Sequence, residues 1–538
     1  MCSLPTFDII CYRIEMTVRN ISATRIQRFL IPRIADMFFA ILFCFLTINF
    51  GQRLLNDGDT GFHIRTGEYI IKTFTIPRQD LFSFIEPPLS WTAHEWLSEV
   101  IMAAVHNLSG LTGIVVFFAG LIALVHYLLL RMLRRINGHV LIPLILVMLA
   151  AASSMLHWLA RPHIFSLLMM VVWYDWLDRY QHDDSGPLYF LPLLMLLWVN
   201  LHGGFIAGFI LLGLYGAGNL ILSRFGEKTL REAAKRKWRF ILKITVLCMA
   251  AALCNPFGYD IFFFPFRLVF DSYIMDHIVE WASPDFHDMG VFPFRVFLLS
   301  ILALLAISRR RPNIIELGLL LFFLDMALCS ERYIALFAII ASPIAARLAD
   351  GYTEKLGGRT IAWLRCQDVK IAAIDGRARG FLWPIATALM VSFLLAQSGN
   401  VITFDKKIKP VAAVEFLKRE RIPGNMFNND EFGDYVIYAA WPQYRVFIDG
   451  RLDMYGAYRI KEYFKIKNID RDWESVMRKY DMNWVIFDAD SPLSRHLQRC
   501  NGWRLIYDDK VANIFVRNIP LYQPLINKYP IPRSTLRE

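Results

Sequence analysis

The reading of this chain turns on NDGDTGFHIRTGEYIIKTFTIPRQDLFSF, residues 56–84, and SWTAHEWLSEV, residues 90–100, a polar stretch that begins soon after the first long apolar run ends. Carboxylates, histidines and glycines are concentrated here, from Asp57 to Glu99, in a chain whose other long stretches are mostly Leu, Ile, Phe, Ala and Val. Hydrophobic residues make up 56% of the 538 and charged residues only 20%, with a mean hydropathy of +0.38. That composition lies outside the range of soluble globular proteins and identifies a multi-pass membrane protein. A loop this polar in such a chain needs a functional reason to be there.

Working outward, apolar runs long enough to cross or nearly cross a bilayer lie at 34–50, 112–132, 139–157, 163–177, 187–201, 204–222, 240–255, 291–308, 313–329, 332–348 and 380–397. The expected fold class is therefore a polytopic α-helical bundle of about eleven transmembrane helices. Arg13, Arg19, Arg25, Arg28 and Arg33 precede the first run, so residues 1–33 read as a cytoplasmic arm and the first run as a retained signal anchor. With that end inside, the basic links 131–138, 223–239, 308–313 and 347–379 also fall inside. The transmembrane part spans 34–397. Its first external loop, 51–111, and its second, 255–292, then lie on the non-cytoplasmic side, together with everything from 398 to 538. The location expected is a plasma membrane, the inner membrane of a bacterium, with the C-terminal part periplasmic or extracellular. The net charge of +11 resides in those links, where it orients the chain, and nucleic acid is not an expected partner. The eight cysteines form no CxxC pair, so neither a disulfide framework nor a zinc site follows.

In residues 398–538 the apolar runs shrink to strand length and charges become frequent, which predicts a small exported α/β domain. PVAAVEFLKRERI (410–422), DRDWESVMRKYD and SPLSRHLQRC read as helices, the last with Ser491 as N-cap. MFNND, DYVIYAAW, RVFIDGR and NWVIFD read as strands, and WRLIYDDKVANIFVR as a hairpin turning at Asp508 to Lys510.

Chemistry concentrates on one side of this layout. GFHIRTGEYIIK (61–72) has helical spacing that puts His63, Thr66, Gly67 and Ile70 on one face, with Asp59 one turn before His63. Asp59 suits both a helix cap and a general base. Asp57 and Asp59 have the spacing of a pair that bridges one divalent ion, Mg or Mn, although no cofactor is required by the pattern. His94 and Glu95 in HEW sit between Trp91 and Trp96, which read equally well as interfacial anchors. Arg161 and His163 in ARPH, Asn200 and His202 in VNLHGG, Asn255 in CNPFG, and Glu331 with Arg332 in CSERY recur at the outer helix ends. Ionisable groups at membrane depth line cavities or pathways, and Arg161, His163, His202 and Arg332 facing Asp59 is what transfer from an anionic lipid phosphate requires. The second external loop carries Glu280 and a phenylalanine run that reads as a helix lying along the bilayer, suited to guiding a lipid tail.

These residues resemble a known family. Asp57, Asp59, Thr60, His63, Ile64, Thr66 and Gly67, then Pro77, Asp80, Phe82 and Ser83, then His94 to Leu97, are similar to the first-loop block of bacterial membrane proteins in the GT-C superfamily of integral-membrane glycosyltransferases. ARPH, NLHGG, NPFG, EWASPD and GDYVIYAAWPQYRVFIDGR resemble further blocks of that family, from about Phe39 to Arg517. The resemblance implies a GT-C bundle that takes a sugar from a polyprenyl-phosphate donor, with Asp59 as catalytic base and Asp57 and His63 beside it. His94, Glu95, Arg161, His163, His202, Glu280 and Arg332 would bind substrate. The expected partners are the polyprenyl-phosphate-linked sugar, membrane lipids, and an envelope glycan, lipid or protein acceptor. Where the family's aminoarabinose and mannose transferases carry an Asp-Glu pair, Thr60 follows Asp59 here. FGDY (432–435) is loosely similar to the WWDYG block of oligosaccharyltransferases, which keeps transfer of a preassembled glycan to protein as an alternative. A lipid or solute transporter is the alternative of another class.

Overall fold

A computed structural model describes residues 29–269, 273, 279–350, 359–378, 382–399 and 401–531. Most of the expected cytoplasmic arm thus lies outside the described residues. The chain is mostly helical, with a four-stranded sheet near its C-terminus. Every apolar run read from the sequence folds as helix, among them Ile34–Cys44, Trp96–Asn137, Leu141–Ser154, His163–Asp183, Leu191–Leu201, Ile206–Phe225 and Lys228–Ala252. Phe292–Ile307, Ile314–Cys329, Ile334–Ala349 and Leu382–Ser398 complete the set. By length and composition, the segments Trp96–Asn137, Gly203–Phe225 and Glu331–Ala349 are long and apolar enough to cross a membrane.

The polar stretch is not an open loop. Thr60–Thr73 is a helix whose inner face, His63, Ile64, Thr66, Gly67 and Ile70, is buried. It packs on the first part of Trp96–Asn137, and a β-carbon on Gly67 would collide with the carbonyl of Glu99, so only glycine allows this approach. The long helix breaks at Gly110, which has φ 61° and ψ −155°. Its first part therefore belongs to the loop layer and its second to the bundle. At the far end of the same helix Arg135 donates to Asp178 at 2.7 Å, and Arg347 donates to the other oxygen of Asp178 at 2.6 Å. This buried charge cluster ties three helix ends together, remote from the loop.

In the C-terminal domain the strands β1 (Asn425–Asn428), β2 (Met482–Asp488), β3 (Trp503–Asp508) and β4 (Ala512–Arg517) are ordered β1-β2-β4-β3. β1 runs parallel to β2, and β4 is antiparallel to both neighbours. Alternation along β2 sends Trp484 and Ile486 to one face, continuous with the main core, and Val485 and Phe487 to the other, against Tyr463, Met477, Leu493 and Leu497. Burial on both faces is why this strand reads as an unbroken apolar run. Ser491 caps its helix as expected, accepting from the Ser494 amide at 3.1 Å, and the hairpin turns where expected, with Asp509 Oδ1 accepting two amides at 2.7 Å.

Two strand expectations are corrected. All of DYVIYAAW but Trp441, the C-cap, lies in the helix Asp430–Ala440, capped at its start by Asn429, whose side chain accepts from the Phe432 amide. RVFIDGR is extended but joins no strand of the sheet. Instead, Val446 pairs with the first loop: its amide donates to Phe82 O at 3.0 Å, and Phe84 donates to Val446 O at 3.2 Å. The join is sealed by Arg451, only 3% exposed, which donates to Asp80 at 2.8 Å and to Asp449 at 2.6 and 2.8 Å. Its guanidinium lies 4.6 Å from the Trp91 ring and 4.8 Å from that of Phe82. Trp91 is thus a buried shelf for Arg451 rather than a membrane anchor.

Removing one partner of a buried ion pair strands the other without water. Arg451→Ala is expected to cost about 3–5 kcal/mol of stability and to open residues 77–91 to proteolysis. Thermal unfolding and limited proteolysis of the detergent-solubilised protein check this. An unchanged midpoint and digestion pattern would refute the role of Arg451 as the seal.

Candidate active site

The site grows from the turn before the helix Thr60–Thr73. Asp57 Oδ1 accepts the Asp59 amide at 2.9 Å, closing a tight Asp-Gly-Asp turn. Thr60 donates through its hydroxyl to Ala160 O at 3.1 Å, and the Ala160 amide donates to Leu54 O at 2.8 Å. The ARPH segment is thereby stitched alongside the turn, and Arg161 reaches across it. Arg161 Nη1 donates to Asp57 Oδ2 at 2.8 Å and to Glu280 Oε1 at 2.7 Å, while Nη2 pairs with Asp59 Oδ2. Asp59 occupies the N-cap position, but its side chain makes no cap hydrogen bond. A guanidinium is the stronger, charge-assisted donor, and it takes the carboxylate away from the helix amides.

The C-terminal domain supplies the opposite wall. Asp434, in the helix Asp430–Ala440, accepts the Gly450 amide at 3.1 Å. A β-carbon on Gly450 would collide with Asp59 Oδ1 and lie 3.1 Å from Asp434 Oδ2, so the two carboxyls meet over this glycine. Burial raises both: Asp59 to about 8, against the opposing pull of Arg161, and Asp434 well above the ordinary carboxylate range, with the Asp59 charge adding to the rise. The pair titrates as one unit in which Asp59, favoured by Arg161, ionises first. Glu280 is the opposite case: Arg161 first, then Arg332, outweigh burial and hold it down to about 2.

Behind this pair stands a histidine–carboxylate network. His63, only 2% exposed, lies 3.2 Å from Glu99 through Nδ1 and 3.6 Å from Glu95 through Nε2. Glu95 also faces His202 at 3.4 Å and His94 at 3.6 Å. Burial, then the charge of Arg161, holds His63 well below its ordinary value, so it is a neutral ring. His202 Nδ1 meets Ser166 Oγ at 2.7 Å and accepts the Gly204 amide at 2.9 Å. His163 Nε2 lies 2.8 Å from His157 O. Asn200 and Asn255 are structural: Asn200 Oδ1 accepts from Trp96 Nε1 at 2.8 Å and from Asn255 Nδ2 at 3.1 Å, binding the HEW, NLHGG and NPFG segments together.

Asp57, Asp59, His63, His94, Glu95, Arg161, His163, His202, Glu280 and Arg332, all singled out in the sequence, line one cavity of about 460 Å³. Asp434, Gly450, Arg451 and Asp453 line it too, and the sequence reading assigned them no role. The available signal was FGDY, hidden because its surroundings read as a strand. Arg161 is not the free cation expected for a leaving phosphate. Arg332 is freer: its closest carboxylate is Glu280 at 3.9 Å, and its guanidinium lies 5.2 Å from the Trp281 ring. For a divalent ion, Asp57 and Asp59 are the expected ligands, but as arranged they hold the Arg161 guanidinium. Among the described residues no group of three or more His, Cys, Asp or Glu is arranged to hold a metal ion. The residues as they stand do not fit one.

No family model matches the sequence, and no curated protein matches it. Solved structures of archaeal oligosaccharyltransferases are similar in fold. The apo oligosaccharyltransferase of Archaeoglobus fulgidus is 14% identical over 85% of this chain and 69% of that one, with a TM-score of 0.53. The oligosaccharyltransferase AglB from the same organism, in complex with an inhibitory peptide and a dolichol-phosphate, is 13% identical over 90% of this chain and 74% of that one, with a TM-score of 0.54. The form tethered to an acceptor peptide containing the NVT sequon is 14% identical over the same shares, with a TM-score of 0.52. At these identities the likeness is one of fold alone: the chain shares the architecture of these oligosaccharyltransferase structures.

Proposed function

We propose that this chain is a membrane glycosyltransferase that moves a saccharide from a polyprenyl-phosphate-linked donor to an acceptor on the non-cytoplasmic side of a plasma membrane. The observation that carries the reading is the cavity, where a buried acid pair, Asp59 and Asp434, and a lightly paired arginine, Arg332, share one space between bundle and C-terminal domain. Eleven membrane crossings accompany this reading, with the N-terminus inside. The alternation of basic links supports it, as does the buried Asp178–Arg347 cluster at the end remote from the cavity.

Asp59 Oδ1, the oxygen turned away from Arg161, accepts the proton of the acceptor nucleophile. The nucleophile attacks the anomeric carbon from the face opposite the leaving group, and the bond from that carbon to the phosphate oxygen breaks. The phosphate departs with the electron pair, its charge met by Arg332, and the anomeric configuration inverts. Neutral His63 and the Glu95 network hold the floor of the cavity. A second reading, transfer of a preassembled glycan to protein, is favoured by the extent of the AglB likeness, which covers 90% of this chain and so reaches into the C-terminal domain.

Positioned base catalysis is worth about 100- to 10,000-fold, so Asp59→Asn is expected to lose transfer by that factor while inserting normally, read with radiolabelled lipid-linked donor. Near wild-type transfer would sink the assignment. A base works only when ionised, so with Asp59 raised to about 8, kcat/KM should climb as pH rises through about 8 and level off above it. A profile flat across that range would place the proton transfer elsewhere. Profiling glycoprotein and glycolipid fractions of cells carrying wild-type or Asp59→Asn protein separates the acceptors: label lost from protein alone selects the second reading, and label lost from glycan or lipid alone rejects it.

A further inference from the structure

The cavity holds three carboxylates, Asp57, Asp59 and Glu280, around one point, and that point is filled by a side chain. Arg161 Nη1 reaches Asp57 Oδ2 at 2.8 Å and Glu280 Oε1 at 2.7 Å, and Nη2 pairs with Asp59 Oδ2. The second oxygen of each carboxylate is turned to another neighbour. Asp57 Oδ1 accepts the Asp59 amide at 2.9 Å, Asp59 Oδ1 faces Asp434 over Gly450, and Glu280 Oε2 is turned toward Arg332 at 3.9 Å. A divalent ion such as Mg or Mn needs several free oxygens in close coordination, and here it would have to displace a guanidinium and then sit against its positive charge.

The backbone that carries Arg161 is held in place. Its amide donates to Leu159 O at 2.9 Å, its carbonyl accepts from Ile164 at 3.2 Å, and the neighbouring Ala160 is bonded to both Leu54 and Thr60. Pro162 follows directly at the N-cap of the helix His163–Asp183. A guanidinium presents five donors in a planar fork, which suits it to hold several carboxylates at once.

We infer that Arg161 is a resident cation that takes the place of a divalent metal ion among Asp57, Asp59 and Glu280, so that this centre binds no stoichiometric metal. The inference concerns the occupancy of the acidic centre and stands whether or not glycosyl transfer is the reaction. Arg161 holds Asp57, Asp59 and Glu280 in register and offsets part of their charge, a role an ion would otherwise fill. Its removal leaves the oxygens of Asp57, Asp59 and Glu280 freed toward one point, which is a site for a hard divalent cation, whose charge favours the ionised form of each acid.

The test uses Mn2+ as probe on the full chain in nanodiscs, with free ion read by electron paramagnetic resonance and unfolding midpoints read with Mn2+ or with EDTA. The wild-type protein should leave added Mn2+ free and show the same midpoint in both conditions. Arg161→Ala should bind one Mn2+ per chain, on the order of tenfold or more tighter than wild type, and unfold at a higher temperature with the ion than without it. Asp57→Asn added to Arg161→Ala should abolish that gain. Wild-type protein that takes up one Mn2+ per chain, with uptake lost in Asp59→Asn, overturns the inference, as does a folded Arg161→Ala that binds none. Should Arg161→Ala fail to fold, wild type and Arg161→Lys decide: both retain the cation and both should bind no Mn2+. None of these readouts depends on the transfer assay, so failure here is distinct from failure of the proposed reaction.

Discussion

The contact on which the rest of the structure depends is the burial of Arg451 between Asp80 and Asp449. A guanidinium cut off from water costs several kcal/mol unless its donors are met by acceptors of opposite charge. Here two carboxylates meet Nε and Nη2, while Nη1 is buried without a hydrogen-bond partner, and the rings of Trp91 and Phe82 flank the cation. Asp80 comes from the first loop and Asp449 from the C-terminal domain, so the chain can satisfy Arg451 only by docking one on the other. The main-chain pairing of Phe82 and Phe84 with Val446 then sets the register of that docking. Asp434 reaches Asp59 because of it.

A second cation, Arg161, organises the other half of the cavity by the same physics. It gathers Asp57, Asp59 and Glu280 from two loops, and it decides which acid of the buried pair ionises first. Arg451 and Arg161 thus act as fixed charges around which the carboxylates are arranged, while Arg332, with its nearest carboxylate at 3.9 Å, keeps capacity for an incoming anion. The histidine network behind them is buried and neutral where His63 is concerned, and it contributes shape and hydrogen bonding rather than charge.

Much of this was legible in the residues. Long runs such as 112–132 and 332–348 leave little alternative to helix in a bilayer. Ser491 is an N-cap by its own chemistry, and Asp508 to Lys510 marks a turn between two apolar strands. The helix after Asp59 follows from the spacing of His63, Thr66, Gly67 and Ile70. DYVIYAAW was not legible. Phe432, Gly433, Asp434, Tyr435, Val436 and Ile437 are all buried in that helix, so no polar face shows a helical period, and its aromatic and β-branched residues imitate a strand. Asp59 as a helix cap failed for a different reason: the competing donor, Arg161, lies a hundred residues away and cannot be weighed from local sequence.

The sequence by itself determined that this is a helical membrane protein with a polar first loop and a small α/β domain, and it named ten residues that gather in one cavity. Hydrophobic length, periodicity and capping are local properties, and a bilayer-bound chain obeys them strongly because unpaired backbone groups have no water to turn to. Only the tertiary structure decided how charges are shared: that Arg161 is spent on three carboxylates, that Asp434 joins Asp59, and that Trp91 shields Arg451. Charge pairing in a buried site is settled by which groups are brought within a few ångströms of one another. That proximity arises when segments far apart in the chain dock.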